Sequence, residues 1–207
     1  MNIFYEDLPE TLEINGKEYP IITDFREWIR FSDMLKSDLQ SQYKLEFLAE
    51  MFLEDIPDLY TEEDVEEVMD SITSFLSLEA LEFPDQYLDA SEKTEQSDEE
   101  PEDVEYENAV EKKAIYYEQD APYIISAFRR EYQMDLLSVP YMHWWEFRML
   151  LDGLSEESQI KKRIYWRTCD VSKMEKKERM EILKIRRSIT IPEEEYVSDE
   201  DIGNAFM

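Results

Sequence analysis

Cysteine, histidine and glycine are nearly missing from this chain: its 207 residues hold one Cys, one His and three Gly. A single cysteine, Cys169, excludes an intramolecular disulfide, and with the lone His143 it leaves no zinc-ligand set. Cys169 also lacks a resolving cysteine and reads as structural. Three glycines do not make a phosphate-cradling loop. No carboxylate or cysteine is spaced around His143 in the manner of a catalytic triad, so the imidazole reads as buried and hydrogen-bonded. No apolar run approaches the roughly 18 residues of a membrane span, and the acidic N-terminus lacks the basic region of a signal peptide. These absences lead us to expect a cytoplasmic protein without cofactor, metal or membrane contact, and not an enzyme.

Positive charge is scarce as well. Against 52 Asp and Glu stand 22 Lys and Arg, a net charge of −30. Residues 1–83 carry 22 acidic and 5 basic side chains, residues 84–107 carry 11 and 1, residues 108–192 carry 13 and 16, and residues 193–207 carry 6 and none. Binding to nucleic-acid phosphates is therefore not expected. An acidic N-terminal half beside a mildly basic C-terminal half favours docking of the two or self-association of copies.

What is present is apolar pattern: 43% of the residues are hydrophobic, enough for a core. Leu12–Ile22 alternates apolar and polar residues around Asn15-Gly16, a preferred pair for a two-residue hairpin turn. Asp24 is placed to cap a helix with Phe25, Trp28, Ile29, Ser32 and Leu35 on one stripe. Leu45, Leu48, Ala49, Phe52 and Leu53 predict a second helix ending before Pro57. Thr61 caps a third, with Val65, Val68, Met69, Ile72, Phe75 and Leu76 as its stripe. From 84 to 107 the stripe vanishes among acidic and small polar residues, which predicts a disordered linker.

After it, Ala121, Ile124, Ile125, Phe128 and Tyr132 mark a fourth helix, with Asp120 as its cap and Pro122 in its first turn. Tyr141, Trp144, Trp145, Phe147 and Leu151 follow at helical spacing, with Ser138 as expected cap, Pro140 in the first turn and Gly153 as left-handed C-terminal residue. So many rings exceed one face and predict a helix gripped from two sides, mainly as core, with an aromatic docking surface as the competing reading. Ser155 is expected to start a helix with Ile160, Ile164 and Tyr165 on its core side. Ser172-Lys-Met-Glu175 matches a capping box before a last helix carrying Met174, Met180, Leu183 and Ile185. The fold class is mainly α: six to seven helices in a bundle with a short N-terminal β-hairpin. Its expected parts are an acidic hairpin-plus-three-helix half (1–83), the linker (84–107), an aromatic-rich helical half (108–192) and a flexible tail (193–207).

The string Tyr141-Met-His-Trp-Trp-Glu-Phe147, with the lead-in Tyr117-Glu-Gln-Asp120, Phe128 and Tyr132, resembles the bacteriophage Gp15 family, small proteins of tailed phages and prophages. Genes of that family lie among tail-morphogenesis genes, so the resemblance implies a role in virion assembly in the host cytoplasm. The concrete role is a tail assembly chaperone holding the tape-measure protein, or another tail component, soluble. On this reading Tyr141, His143, Trp144, Trp145, Phe147, Asp120, Phe128 and Tyr132 are the structural or partner-binding residues. The competing function is an acidic DNA mimic that inhibits a host defence nuclease. Charge supports it, but more than half of the net charge falls in the expected linker and tail instead of on folded surface.

Overall fold

The computed structural model describes residues 3–35, 37, 39–78, 114–172 and 174–190. The expected linker and the expected tail both lie entirely outside the described residues. The described residues contain a two-stranded hairpin and seven helices. They divide into two compact units, one formed by residues 3–78 with 117–158 and the other by residues 114–116 with 159–190.

The larger unit begins with β1 (Thr11–Ile14) and β2 (Lys17–Pro20), antiparallel, with Leu12 opposite Tyr19 and Ile14 opposite Lys17. Asn15 and Gly16 both take left-handed φ, +53° and +71°, which a tight two-residue hairpin turn demands. A hairpin is marginal alone. Here Leu12 and Ile14 are buried, and Ser71 donates to the Glu13 carbonyl at 2.6 Å from the third helix.

Helix α1 (Phe25–Leu35) is capped by Asp24, whose carboxylate accepts from Arg26 N–H at 2.9 Å. Its buried residues are Phe25, Trp28, Phe31 and Met34. The inward stripe thus follows a three-residue step, and Ile29, Ser32 and Leu35 are only half-buried, contrary to the expected stripe. Helix α2 (Ser41–Glu50) stops earlier than expected, because the chain after it turns to meet the hairpin. Ile21 pairs with Phe52, Ile22 N–H donates to Met51 and Leu53 N–H to Pro20, so Phe52 belongs to a β-bridge and Leu53 is exposed.

Helix α3 (Glu62–Ser77) opens with a reciprocal capping box between Thr61 and Asp64, which holds the Asp64 carboxyl below its ordinary pKa. It buries Val68, Ile72 and Phe75 and closes on Leu78 in the left-handed conformation. Helix α4 (Tyr117–Glu131) starts three residues before the expected cap, so Asp120 lies inside its first turns, fully buried, and Pro122 follows within the helix.

Helix α5 (Trp144–Asp152) is shorter than its aromatic pattern suggests. Ser138 does not cap it and Pro140 lies outside it; the N-cap is His143. Tyr141 lies outside the helix and is half-exposed, its hydroxyl 2.8 Å from that of Thr23. Gly153 is right-handed, not left-handed. A side chain there would sit 3.1 Å from the Tyr132 hydroxyl, so close approach explains the glycine better than backbone freedom.

The smaller unit is built on α6 (Gln159–Thr168) and α7 (Lys176–Ile189). Ser155 to Ser158 form a turn before α6, and Tyr165 faces solvent; the buried positions are Ile160, Arg163 and Arg167. The expected capping box at Ser172 is also replaced. Ser172 bonds Asp170 through both its N–H and its hydroxyl, and Glu175 is the N-cap without a side-chain bond. On α7 the buried residues are Ile182, Arg186 and Ile189, and Met180 is 63% exposed. No helix among the described residues is long and apolar enough to cross a membrane.

Candidate functional site

The aromatic string ties the larger unit together through its backbone and its ring nitrogens. Residues Thr23–Phe25 and Met142–Trp144 form an antiparallel bridge: Phe25 N–H donates to Met142 at 3.0 Å and Trp144 N–H to Thr23 at 2.8 Å. The starts of α1 and α5 are locked side by side. Trp145 Nε1 donates to the Phe75 carbonyl at 2.8 Å, and Trp144 Nε1 reaches Leu76 at 3.4 Å. Both acceptors lie in the last turn of α3, where carbonyls lack the i+4 donor of a continuing helix; Phe75 has besides the indole only the C-cap Leu78 N–H at 3.3 Å. Each indole therefore fills core volume and closes a helix end, which satisfies its polar atom on burial.

The rings pack in a continuous set. Phe147 stacks on Phe25 at 4.6 Å and on Phe128 at 5.7 Å, and Trp145 lies 5.8 Å from Phe75. Tyr132 meets Phe128 edge-on and donates its hydroxyl to the Leu150 carbonyl at 2.8 Å. Trp144, Trp145, Phe147 and Phe128 are buried, and Tyr132 is half-buried.

His143 completes this arrangement as a cap. Its Nδ1 accepts from Trp145 N–H at 3.0 Å, which places the proton on Nε2, and Nε2–H donates to the Pro9 carbonyl at 3.0 Å. Burial pushes the imidazole pKa below its ordinary value; the Pro9 bond and the charges of Glu10 and Glu146 oppose that shift. A second proton would cost the capping bond. The geometry makes His143 an anchor for α5, with both ring nitrogens spent on backbone.

Of the residues singled out in the sequence, the structure brings Phe128, Tyr132, His143, Trp144, Trp145 and Phe147 into one interior. Asp120 is buried on α4, and Tyr141 stands outside at the Thr23 contact. The open surface lies beside them. A groove of about 320 Å³ runs between α1 and α4, lined by Phe25, Ile29, Tyr117, Ala121, Ile125 and Leu137 among others. Phe147 reaches it from the interior, and Arg26, Asp33 and Glu118 add charge to its lining. Leu137 is 70% exposed at its edge. Burial and the nearby Asp152 and Asp33 raise the Tyr117 pKa, with Arg148 acting against them, so its hydroxyl stays a neutral donor.

Sequence reasoning placed Ile29, Ala121 and Ile125 in the core. The signal for the groove was present in the width of the pattern: on α4, Ala121, Ile124, Ile125, Ala127 and Phe128 span more of the helix than one neighbour covers, and Ile124, Ala127 and Phe128 take the buried positions. Arg26 fixes one end by donating to Leu136 at 3.0 Å and Val139 at 2.6 Å.

No curated protein and no solved structure matches the chain. The family model described as "Bacteriophage Gp15 protein" matches residues 4–191 of the 207, spanning the hairpin, all seven described helices and the aromatic string. By that match over nearly its whole length, the chain belongs to the bacteriophage Gp15 protein family.

Proposed function

We propose that this phage protein is a tail assembly chaperone that keeps the tape-measure protein soluble until tail-tube subunits polymerise around it. It acts as a binding protein and not as an enzyme. The observation that carries this reading is the apolar groove between α1 and α4. A long, largely helical partner presents apolar residues one or two turns apart, and a groove between two helices accepts such a ridge. Ile29, Ala121, Ile125 and Leu137 supply the apolar wall, with Arg26, Asp33 and Glu118 available to fix register. Ten methionines add side chains that adapt to varied partners, and a net charge of −30 keeps the loaded complex dispersed.

Co-expression with the tape-measure protein of the same phage tests the reading. The tape measure becomes more soluble and is retained on the tagged chaperone at about 0.5 M salt, where the Debye length is only a few Å and surface charge pairs are screened. Absence of association at any salt, together with salt-sensitive capture of a basic nuclease, establishes the DNA-mimic function instead.

A further inference from the structure

Helices α3 and α7 carry outward faces of opposite charge. On α7 the buried residues Ile182, Arg186 and Ile189 define the inner side. Lys177, Met180 and Lys184 lie on the opposite side, all exposed, and neither lysine forms an ion pair with any described residue. On α3, Val68, Ile72 and Phe75 point inward, while Glu63, Glu66 and Asp70 form an exposed outer row, again without an ion pair among the described residues. Helix α3 has no basic residue at all. The spacings agree: Glu63 to Asp70 and Lys177 to Lys184 are each seven residues, two turns and about 10.5 Å of helix.

We propose that the outer face of α7 on one copy pairs with the outer face of α3 on a second copy, a head-to-tail contact by which the protein self-associates. The matched spacing brings both lysines opposite acidic partners at once, and the exposed Met180 lies between them to bury its thioether against the acidic side-chain stems. Residues 159–190 hold 11 basic and 4 acidic side chains in a chain of net charge −30, so another copy of this chain is a strongly acidic surface always at hand. The overall repulsion does not forbid the contact, because at physiological salt charges more than about 8 Å from it are screened. Both partners present different surfaces, so the contact is heterologous and extends into rings or rows. It does not depend on the chaperone reading.

Sedimentation of the full-length protein at about 0.1 M salt tests the contact, where the Debye length is still about 10 Å. The expected result is concentration-dependent association that weakens as salt rises. Two charge-swapped variants, Glu63→Lys/Glu66→Lys/Asp70→Lys and Lys177→Glu/Lys184→Glu, each weaken it about tenfold or more, and their equimolar mixture restores it, since each supplies the surface the other needs. Lys177→Gln/Lys184→Gln, neutral and exposed, gives a milder loss and covers failure of a swapped variant to fold. A parent that stays monomeric, association indifferent to these substitutions, or a mixture that fails to recover while both variants keep native circular dichroism overturns the proposal. Retention of nucleic acid by the α7 face in place of a second copy overturns it as well.

Discussion

In the larger unit the C-terminal carbonyls of α3 are closed by indole N–H groups, Trp145 on Phe75 and Trp144 on Leu76. In the smaller unit arginines close the helix ends. Arg186 of α7 donates to the Trp166 and Cys169 carbonyls at 2.8 and 2.7 Å, at the end of α6. Arg167 of α6 donates to the Ile189 carbonyl at 2.9 Å, at the end of α7, and to Ala114 at 3.0 Å, while its guanidinium lies 4.7 Å from the Tyr116 ring. Each helix of the pair thus caps the other. A unit of five helices and a hairpin has the volume to bury indoles whole, so neutral donors carry most of the closure, with Arg148 adding a 3.4 Å bond to Leu76. Among the described residues the smaller unit has two helices and few buried apolar side chains, and a charged donor bonded to carbonyls at the negative end of a helix dipole gives stronger bonds per buried atom. The buried apolar residues of α6 and α7 are few, Ile160, Ile182 and Ile189, so this unit leans on its polar bonds more heavily.

The comparison is broken most severely at Trp145. Trp145→Ala costs about 3 to 5 kcal/mol in urea unfolding, through the lost ring and the cavity left behind. Trp145→Phe retains most of the volume but leaves the Phe75 carbonyl with only the 3.3 Å bond from Leu78 N–H, for a loss of about 0.5 to 1.5 kcal/mol. Parent-like melting of both variants removes the indole from its capping role. In the smaller unit, Arg167→Met keeps a long side chain and removes its bonds to Ile189 and Ala114. The expected loss is about 2 to 3 kcal/mol, seen as faster amide exchange in α7. Arg167→Lys recovers only part of it, because an ammonium lacks the planar fork. Equal exchange in parent and Arg167→Met contradicts reciprocal capping.

A smaller effect sits at His143. Its folded-state pKa is depressed, chiefly by burial, so the unfolded chain takes up the proton first. Its contribution is complete above the ordinary value of 6.5 and is lost as pH falls below that value through the lower folded one. His143→Asn supplies another side-chain acceptor for the Trp145 N–H and no titration. At neutral pH it should cost about 1 kcal/mol or less. Between about pH 7 and pH 5 it should lose less stability than the parent, which protonates His143 as it unfolds. Identical pH profiles for the two proteins exclude a titrating cap.

Much of the fold was legible in the sequence where one residue type has one physical use. Asn15-Gly16 announced a tight hairpin turn, and Thr61 announced a helix start. Trp144, Trp145 and Phe147 declared an interior, whereas Tyr141, expected on the same stripe, lies outside it. Boundaries set by tertiary contacts were not legible. Ser138 and Pro140 fit a helix start locally, yet the Asp24–His143 bridge holds His143 outside the helix and hands it the cap. Met51–Leu53 left α2 for the hairpin edge for the same kind of reason. The buried arginines were missed because charge was read as surface, and in a two-helix unit charge is the strongest donor on offer. The position of the groove was not legible because its residues share helices with the core and differ only in whether a neighbour covers them.

Trp144, Trp145 and Phe147 are interior, and the proposed contact with a partner runs along the α1–α4 groove. Ala121→Glu combined with Leu137→Asp places two carboxylates on the groove wall, one in a helix that favours Glu and one at an exposed position, for a stability change of less than about 1 kcal/mol. Capture of the co-expressed tape-measure protein at about 0.5 M salt, measured beside the melting temperature, reads both at once. The account predicts a variant that melts like the parent and captures at least tenfold less. A variant that melts like the parent and captures the tape measure in full contradicts it.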